Sequence, residues 1–229
     1  MSERVEVVFL GINDAGMRIY EWLCEREDSA VHSLLTTKDQ LSVVESVEPD
    51  YLVACGYRHI VPESILDVPT EGCLNVHPAY LPYNRGANPN VWSIVEDTPA
   101  GATVHYMDPG LDTGDIVAQE RVETSFADTG KSLHERLEDI QVELFREVWP
   151  EVVAGTATAV AQDRDAGTYH RTDDFEELCR LDPDARVQVK EFLDHLRALT
   201  FPPYRNARIE VEGETYHVEV SIEPADESM

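Results

Sequence analysis

The first half of the chain alternates short runs of β-branched and other apolar residues with stretches whose apolar positions recur at helical spacing. Val5 to Leu10 reads as a first strand, and Gly11 opens a turn into a helix from about Ala15 to Glu27. Val31 to Leu35 reads as a short second strand, followed by a helix near Asp39 to Val47. Tyr51 to Cys55 is expected to be a buried strand ending at Gly56, with a short helix after Pro62 and a further strand from Cys73 to Val76. Alternation of this kind marks βαβ units. The predicted fold class is therefore α/β: a Rossmann-like, mainly parallel sheet flanked by helices.

Further along, Ala102 to Met107 and Asp115 to Val122 read as two more strands, joined by the polar loop Asp108 to Gly114. Loops at strand ends are where α/β folds hold ligands. After Thr129, the residues Leu133, Leu137, Ile140, Leu144, Phe145 and Val148 fall at helical spacing and predict a long scaffold helix to about Val153. Thr156 to Asp184 is polar and Asp-rich and reads as a connecting arm rather than core. A helix over about Ala185 to Leu199 should stop at Phe201-Pro202-Pro203. Ala207 to Ile222 alternates about Glu212-Gly213 as a β-hairpin does, and the last residues are expected to fray. The predicted organisation is a main domain over residues 1–155 and an arm, helix and hairpin over 156–229. The hairpin is expected either to add a strand to a second copy, giving a homodimer, or to cover its own sheet.

Composition narrows the partners. The 229 residues carry a net charge of −27, with Lys only at positions 38, 131 and 190. Nucleic-acid binding relies on Lys and Arg displacing counterions from phosphates, so a nucleic-acid partner is not expected. The same balance suits concentrated salt, where screening relieves self-repulsion. Val5 to Leu10 is too short for a signal peptide, and no run approaches the roughly twenty apolar residues of a membrane span. A cytoplasmic location is the expectation. Cys24, Cys55, Cys73 and Cys179 are widely spaced, which indicates neither a zinc cluster nor a disulfide framework.

The densest group of polar and turn residues is LNVHPAYLPYNRGANPN, Leu74 to Asn90, leaving the end of a predicted strand. Asn75 and His77 are two apart, so an extended chain projects both side chains to one side. One suits amide donation, the other proton movement. GATVHYMDPGLDTGD, Gly101 to Asp115, forms a second group with Asp108, Asp112 and Asp115 between and beside glycines. Carboxylates so close repel one another and call for a cationic or imidazole partner. Asp108 and Asp115 also suit turn capping, and His105, inside a strand pattern, suits packing with a hydrogen bond. Gly11 and Gly16 lack the GxGxxG spacing of a dinucleotide loop and read as turn and packing glycines.

Asn-Val-His-Pro with the following Leu-Pro and Arg-Gly, then Thr-Val-His-Tyr-Met-Asp and Leu-Asp-Thr-Gly-Asp-Ile, resembles the folate-dependent formyltransferases, which act on glycinamide ribonucleotide, methionyl-tRNA or nucleotide sugars. The resemblance spans Leu74 to Ile116 and implies 10-formyltetrahydrofolate as donor, with Asn75, His77 and Asp112 as the catalytic residues. It implies a pterin site at Gly56, Tyr57, His59, Ile60 and Val61, closed by Asp108 and Leu111. Ala79 stands where the family often has Ser or Gly.

PAYLPYNRGANPNVWSI and Leu199 to Tyr204 are more similar to the nucleotide-sugar branch, which points to a small amine acceptor contacted by Tyr83, Asn84, Arg85, Trp92 and Tyr204. Arg85 suits a phosphate clamp, and Trp92 or Tyr204 suits stacking. In this chemistry a neutral amine attacks the formyl carbon. Asn75 and His77 supply donors for the oxygen, and Asp112 orients His77 and helps carry the proton away. No metal is required. Two other readings stay open: a metal-dependent hydrolase using His77, His105, Asp108 and Asp112, and a non-catalytic dinucleotide-binding module.

Overall fold

A computed structural model describes residues 4–163 and 165–225 of the chain. Its elements run β1 (Val5–Leu10), α1 (Asp14–Cys24), β2 (Ser29–Leu35), a 3-10 turn (Lys38–Leu41), α2 (Ser42–Val47), β3 (Tyr51–Cys55), α3 (Glu63–Leu66), β4 (Gly72–His77) and β5 (Arg85–Gly86). They continue α4 (Pro89–Val95), β6 (Ala100–Tyr106), β7 (Ile116–Val122), α5 (Gly130–Val153), β8 (Tyr169–His170), α6 (Thr172–Leu178) and β9 (Arg180–Leu181). The chain closes with α7 (Val189–Leu199), β10 (Thr200–Phe201), β11 (Tyr204–Arg205), β12 (Arg208–Val211) and β13 (Glu214–His217).

Six strands form the main sheet in the order β2-β1-β3-β4-β6-β7. The first four pair in parallel, while β6 runs antiparallel to both β4 and β7. Burial on both faces explains the unbroken apolar run of β3, every residue of which is buried. One face is covered by α1 and α5, through Ile19, Leu23, Phe145 and Trp149; the other carries Leu41, Val44, Val61 and Ile65. Tyr51 meets the edge of Trp149 at 5.4 Å between ring centres, and the Trp149 indole donates to Ser29 Oγ at 3.1 Å. The predicted fold class holds.

Helix α5 starts where its cap is. Thr129 Oγ1 accepts from the Ser132 amide at 3.2 Å and Ser132 Oγ accepts from the Thr129 amide at 3.0 Å, a capping box that satisfies otherwise orphaned donors. The helix is more than scaffold: the buried Gln141 donates from Nε2 to the Val76 carbonyl at 2.7 Å, holding the end of β4 on which the polar cluster sits.

Two helices escape the hydrophobic pattern. α4 occupies Pro89–Val95 inside the Pro- and Asn-rich loop, with Pro at its first turn, and α6 lies in the segment read as an arm. Residues 156–184 are also not a free connector: β8 pairs with β5, Val160 pairs with Ile116, and β9 pairs with β12. The predicted hairpin is present as β12 and β13, turning at Glu212 and Gly213. Ala207, Val218 and Val220, which flank the hairpin, join α4, α7 and the first half of α5 in a second core around Leu133, Leu137, Leu196 and Leu199. The extreme C-terminus, expected to fray, lies outside the described residues. Among the described residues, no helix is long and apolar enough to cross a membrane.

Candidate active site

Strand β4 delivers Asn75 and His77 to the carboxyl end of the sheet. Antiparallel pairing sets Asn75 directly opposite His105 on β6, and His77 opposite Thr103. Thr103 and Gln119 then pin the loop after His77. The Thr103 hydroxyl donates to the Ala79 carbonyl at 2.7 Å and accepts from the Leu81 amide at 3.2 Å, and Gln119 Nε2 donates to the Leu81 carbonyl at 2.7 Å.

Asp112 arrives from the β6–β7 loop and meets this group. Its Oδ2 accepts from the Gly86 amide at 2.9 Å and lies 3.7 Å from His77 Nε2. Its Oδ1 lies 3.4 Å from Asn75 Nδ2 and 3.8 Å from His105 Nε2. The backbone of Asp112 is left-handed, with φ 53°, a conformation Asp adopts more readily than most residues. Asn75, His77 and Asp112 are therefore brought together as one cluster, with His105 as a fourth member.

The partners fix the hydrogens. His105 Nδ1 faces the Tyr106 carbonyl at 2.7 Å and must carry the proton, which leaves Nε2 to accept from Asn75 Nδ2 at 3.2 Å. Burial pushes the His105 imidazole below its ordinary pKa, against a smaller opposing pull from Asp112. His77 has the opposite arrangement: its Nε2 faces two oxygens, the Asn84 carbonyl at 3.5 Å and Asp112, and so bears a proton. Asn75 thus directs its amide hydrogens toward His105 and, more loosely, Asp112. The looser of the two is free to turn to a reacting oxygen.

A cleft opens beside the cluster, lined by Tyr57, His59, Ile60, Val61, Met107, Asp108, Leu111, Asn75, His105 and Asp112 among others. The stretch after β3 and the β6–β7 loop form its two walls. Ile60 and Leu111 stay exposed at 74% and 41%, apolar side chains of a kind that a flat ring would cover. Asp108 Oδ1 accepts from the Gly110 amide at 2.9 Å and the Thr113 hydroxyl at 2.6 Å, shaping the loop. Gly56 is not part of the lining: its backbone packs against the Asn13 side chain, where a Cβ would lie 2.2 Å from Oδ1. Gly11 and Gly16 likewise abut the Cys55 carbonyl, as packing glycines do.

The residues expected to meet an acceptor divide. Tyr83 and Arg85 are half-buried beside the cluster, and among the described residues the Arg85 guanidinium keeps one long contact of 3.5 Å, from Nε to the Thr168 carbonyl. Asn84 is buried, with its side chain engaged by Thr98 and Thr168 at 2.9 and 3.1 Å. Trp92 is buried as well, and His170 stacks on its ring at 3.8 Å between centres, covering one face. Tyr204 is exposed but sits on the β10–β11 ladder beside Phe201, which in turn meets His134 of α5. The residues missed from sequence are Gln162, which donates to the carbonyls of Asp112 and Gly114, and Thr168, which holds Asn84. Neither shows any periodic or motif signal in a polar segment.

Amide, imidazole and carboxylate gathered at the end of a central strand, next to an apolar-walled cleft, are the layout of a group-transfer enzyme. The chain belongs to the formyl transferase family: residues 19–149 match its model, and residues 174–224 match that of the N-formyltransferase dimerization C-terminal domain. It is 39% identical over 184 residues to dTDP-4-amino-4,6-dideoxyglucose formyltransferase of Mycobacterium bovis, a match covering 80% of this chain and 77% of that one. Its structure is similar to that of a 4-N formyltransferase from Francisella tularensis, with TM-score 0.86 and 26% identity over 96% of this chain and 99% of that chain. It also resembles the formyltransferase PseJ from Anoxybacillus kamchatkensis, solved with UDP-4,6-dideoxy-4-formamido-L-AltNAc and tetrahydrofolate. There the TM-score is 0.65 and the identity 33%, over 75% of this chain and 88% of that one.

Proposed function

We propose that this enzyme transfers a formyl group from 10-formyltetrahydrofolate to the amine of a nucleotide-linked amino sugar. The observation that carries this reading is the shared cleft, in which one wall is the segment Tyr57 to Val61 and the floor is Asn75, His105 and Asp112. A bound formylated folate supplies an activated one-carbon acyl group. The rest falls to the chain. Ile60, Val61 and Leu111 would hold the pterin ring, and Asn75 Nδ2 and His77 Nε2 would donate to the oxygen of the group being moved. Asp112 would take the proton the amine loses as the new C–N bond forms, that proton would pass to the N10 nitrogen of the departing tetrahydrofolate as the old C–N bond breaks, and Asp112 would orient His77.

The acceptor follows from charge as well as from kinship. A nucleotide sugar presents two phosphates, which Arg85 and backbone amides can meet, whereas a tRNA needs a cationic surface that a net charge of −27 does not supply. Kinship points the same way, since relatives bearing sugar formyltransferase names span most of this chain. The match over 174–224 supports a homodimer. A cytoplasmic enzyme fits the free thiols of Cys55, Cys73 and Cys179, all buried and unpaired. Release of tetrahydrofolate from 10-formyltetrahydrofolate, followed with dTDP- and UDP-amino sugars, glycinamide ribonucleotide and methionyl-tRNA in turn, tests the assignment. Turnover is expected only with amino sugars; robust turnover with methionyl-tRNA and none with any amino sugar overturns it.

A further inference from the structure

The two family matches end at 149 and resume at 174, so the segment that crosses the catalytic loops belongs to neither. It nevertheless touches both. On one side Val160 exchanges two backbone hydrogen bonds with Ile116, each 2.8 Å, just beyond the Asp112 loop. Gln162 Nε2 then donates to the Asp112 carbonyl at 3.0 Å and to the Gly114 carbonyl at 2.6 Å, spending both amide hydrogens on one short stretch of loop. Its Oε1 is buried and accepts no hydrogen bond among the described residues, whereas its nitrogen makes two.

On the other side Thr168 Oγ1 accepts from the Asn84 amide at 3.0 Å and donates to Asn84 Oδ1 at 3.1 Å. The carbonyls of Thr168 and His170 accept from the amides of Arg85 and Ala87 at 3.1 and 2.9 Å. There is no space for a Cβ at either glycine of this contact. A Cβ on Gly167 would lie 2.1 Å from the Pro82 carbonyl, and one on Gly86 would lie 2.2 Å from that of His170.

The two gripped loops are those that meet at the reacting groups. Asn84 presents its carbonyl to His77 Nε2, and Gly86 donates its amide to Asp112 Oδ2. We propose that residues 160–162 and 167–170 act as a clip that sets the distance between the His77 and Asp112 loops, and that Gln162 is its positioning residue. Asp112 sits in a left-handed conformation between Gly110 and Gly114, and Gln162 ties the Asp112 and Gly114 carbonyls from outside that loop, adding to the contacts Asp112 makes itself. The proposal's kinetic arm rests on the formyl transfer proposed above; its structural arm does not.

The test compares Gln162→Leu, which removes the donor, with the isosteric Gln162→Glu. In Gln162→Leu the Gly86 amide, read by NMR hydrogen exchange, is expected to exchange at least about tenfold faster, because its acceptor Asp112 is no longer held. Amides of β1 and β3 should keep wild-type protection. Formyl transfer should lose about 10- to 100-fold in kcat with KM for both substrates within threefold, the scale on which small misplacements act. In Gln162→Glu an ionised carboxylate faces two carbonyls, whereas its protonated form restores one donor. Its activity relative to wild type should therefore rise as pH falls from 8 to 6, while that of Gln162→Leu stays flat. Wild-type Gly86 exchange in a folded variant, or wild-type kcat, overturns the clip. Should Gln162→Leu fail to fold, Gln162→Glu carries the same exchange measurement. Should the wild type transfer no formyl group, the exchange result still decides the clip and the proposed function fails by itself.

Discussion

Asn75 donates to His105 Nε2 across 3.2 Å, and this bond fixes both the orientation of the amide and the neutral state of the ring. Turning the amide over would set its oxygen against the lone pair of His105 and the carboxylate of Asp112, so the observed orientation is the electrostatically favoured one. His105→Phe removes the acceptor and also leaves the Tyr106 carbonyl without its 2.7 Å donor. Unsatisfied buried groups cost about 1–3 kcal/mol each. A drop of that size in urea unfolding free energy is expected at pH 7.5, and an unchanged midpoint would dismiss the assignment.

The same ring gives stability a pH dependence. Burial holds the folded-state pKa of His105 below the ordinary value, so at high pH the ring is neutral in both states and contributes nothing. As pH falls through about 6.5, the unfolded chain binds a proton that the folded chain refuses, and stability is lost down to the lower folded value. Wild type is expected to lose more stability than His105→Phe between pH 7.5 and 5. Parallel curves from urea midpoints would show that His105 is not the group responsible.

Asp112→Asn separates charge from shape. Asn tolerates the left-handed backbone that Asp112 adopts, and its Oδ1 can still accept from the Gly86 amide. The proposed proton acceptor is lost, together with the long 3.4 Å contact from Asn75 Nδ2, and loss of such an acceptor is typically worth about 10²- to 10⁴-fold in rate. Single-turnover formyl transfer should fall by that factor, with a melting temperature close to that of wild type. Near-normal turnover would remove Asp112 from the mechanism.

Much of this site can be read along the chain because its parts are local. Asn75 and His77 share a strand, two residues apart, and Asp112 sits among glycines, so a period of two and a turn composition suffice to find them. The apolar runs of β1, β3 and β4 and the capped amphipathic α5 are similarly self-announcing. What stays hidden depends on tertiary pairing. Gln162 and Thr168 are polar residues in a polar stretch, and only the crossing of the arm over two loops gives them work. Trp92 and Asn84 look like ligand contacts because Trp and Asn suit that job, yet His170 and Thr168, about eighty residues away, have already engaged them. Helix α4 is concealed by the Pro and Asn residues that start it.

Gly86→Ala tests the close contact directly. Gly86 has φ 93°, and the added methyl would lie 2.2 Å from the His170 carbonyl, so either the β5–β8 pairing opens or the loop moves. Left-handed strain alone costs about 1–3 kcal/mol for a non-glycine residue. A stability loss of at least that size is expected, together with loss of transfer activity as the amide leaves Asp112 Oδ2. A variant with wild-type stability and turnover would show that the loop adjusts without consequence.

Salt should stabilise the fold. Acidic residues exceed basic ones to leave a net charge of −27, and several of the basic residues are already paired, as in Arg18 with Asp139 at 2.7 Å and Lys190 with Asp194 at 2.7 Å. Screening weakens exposed pairs such as Arg18 with Asp139, but each is worth only about 0–1 kcal/mol. It also relieves repulsion among the unpaired carboxylates, as the Debye length shrinks from about 10 Å at 0.1 M to about 3 Å at 1 M. With so many more like than unlike pairs, relief dominates. The melting temperature is expected to climb from 0.1 to 1 M KCl and then to flatten, because screening saturates whereas exclusion of a kosmotropic salt from apolar surface does not. Melts in KCl and in potassium sulfate at matched ionic strength distinguish the two causes, and a melting temperature that is flat or falls in KCl would show that the acidic surface does not govern stability.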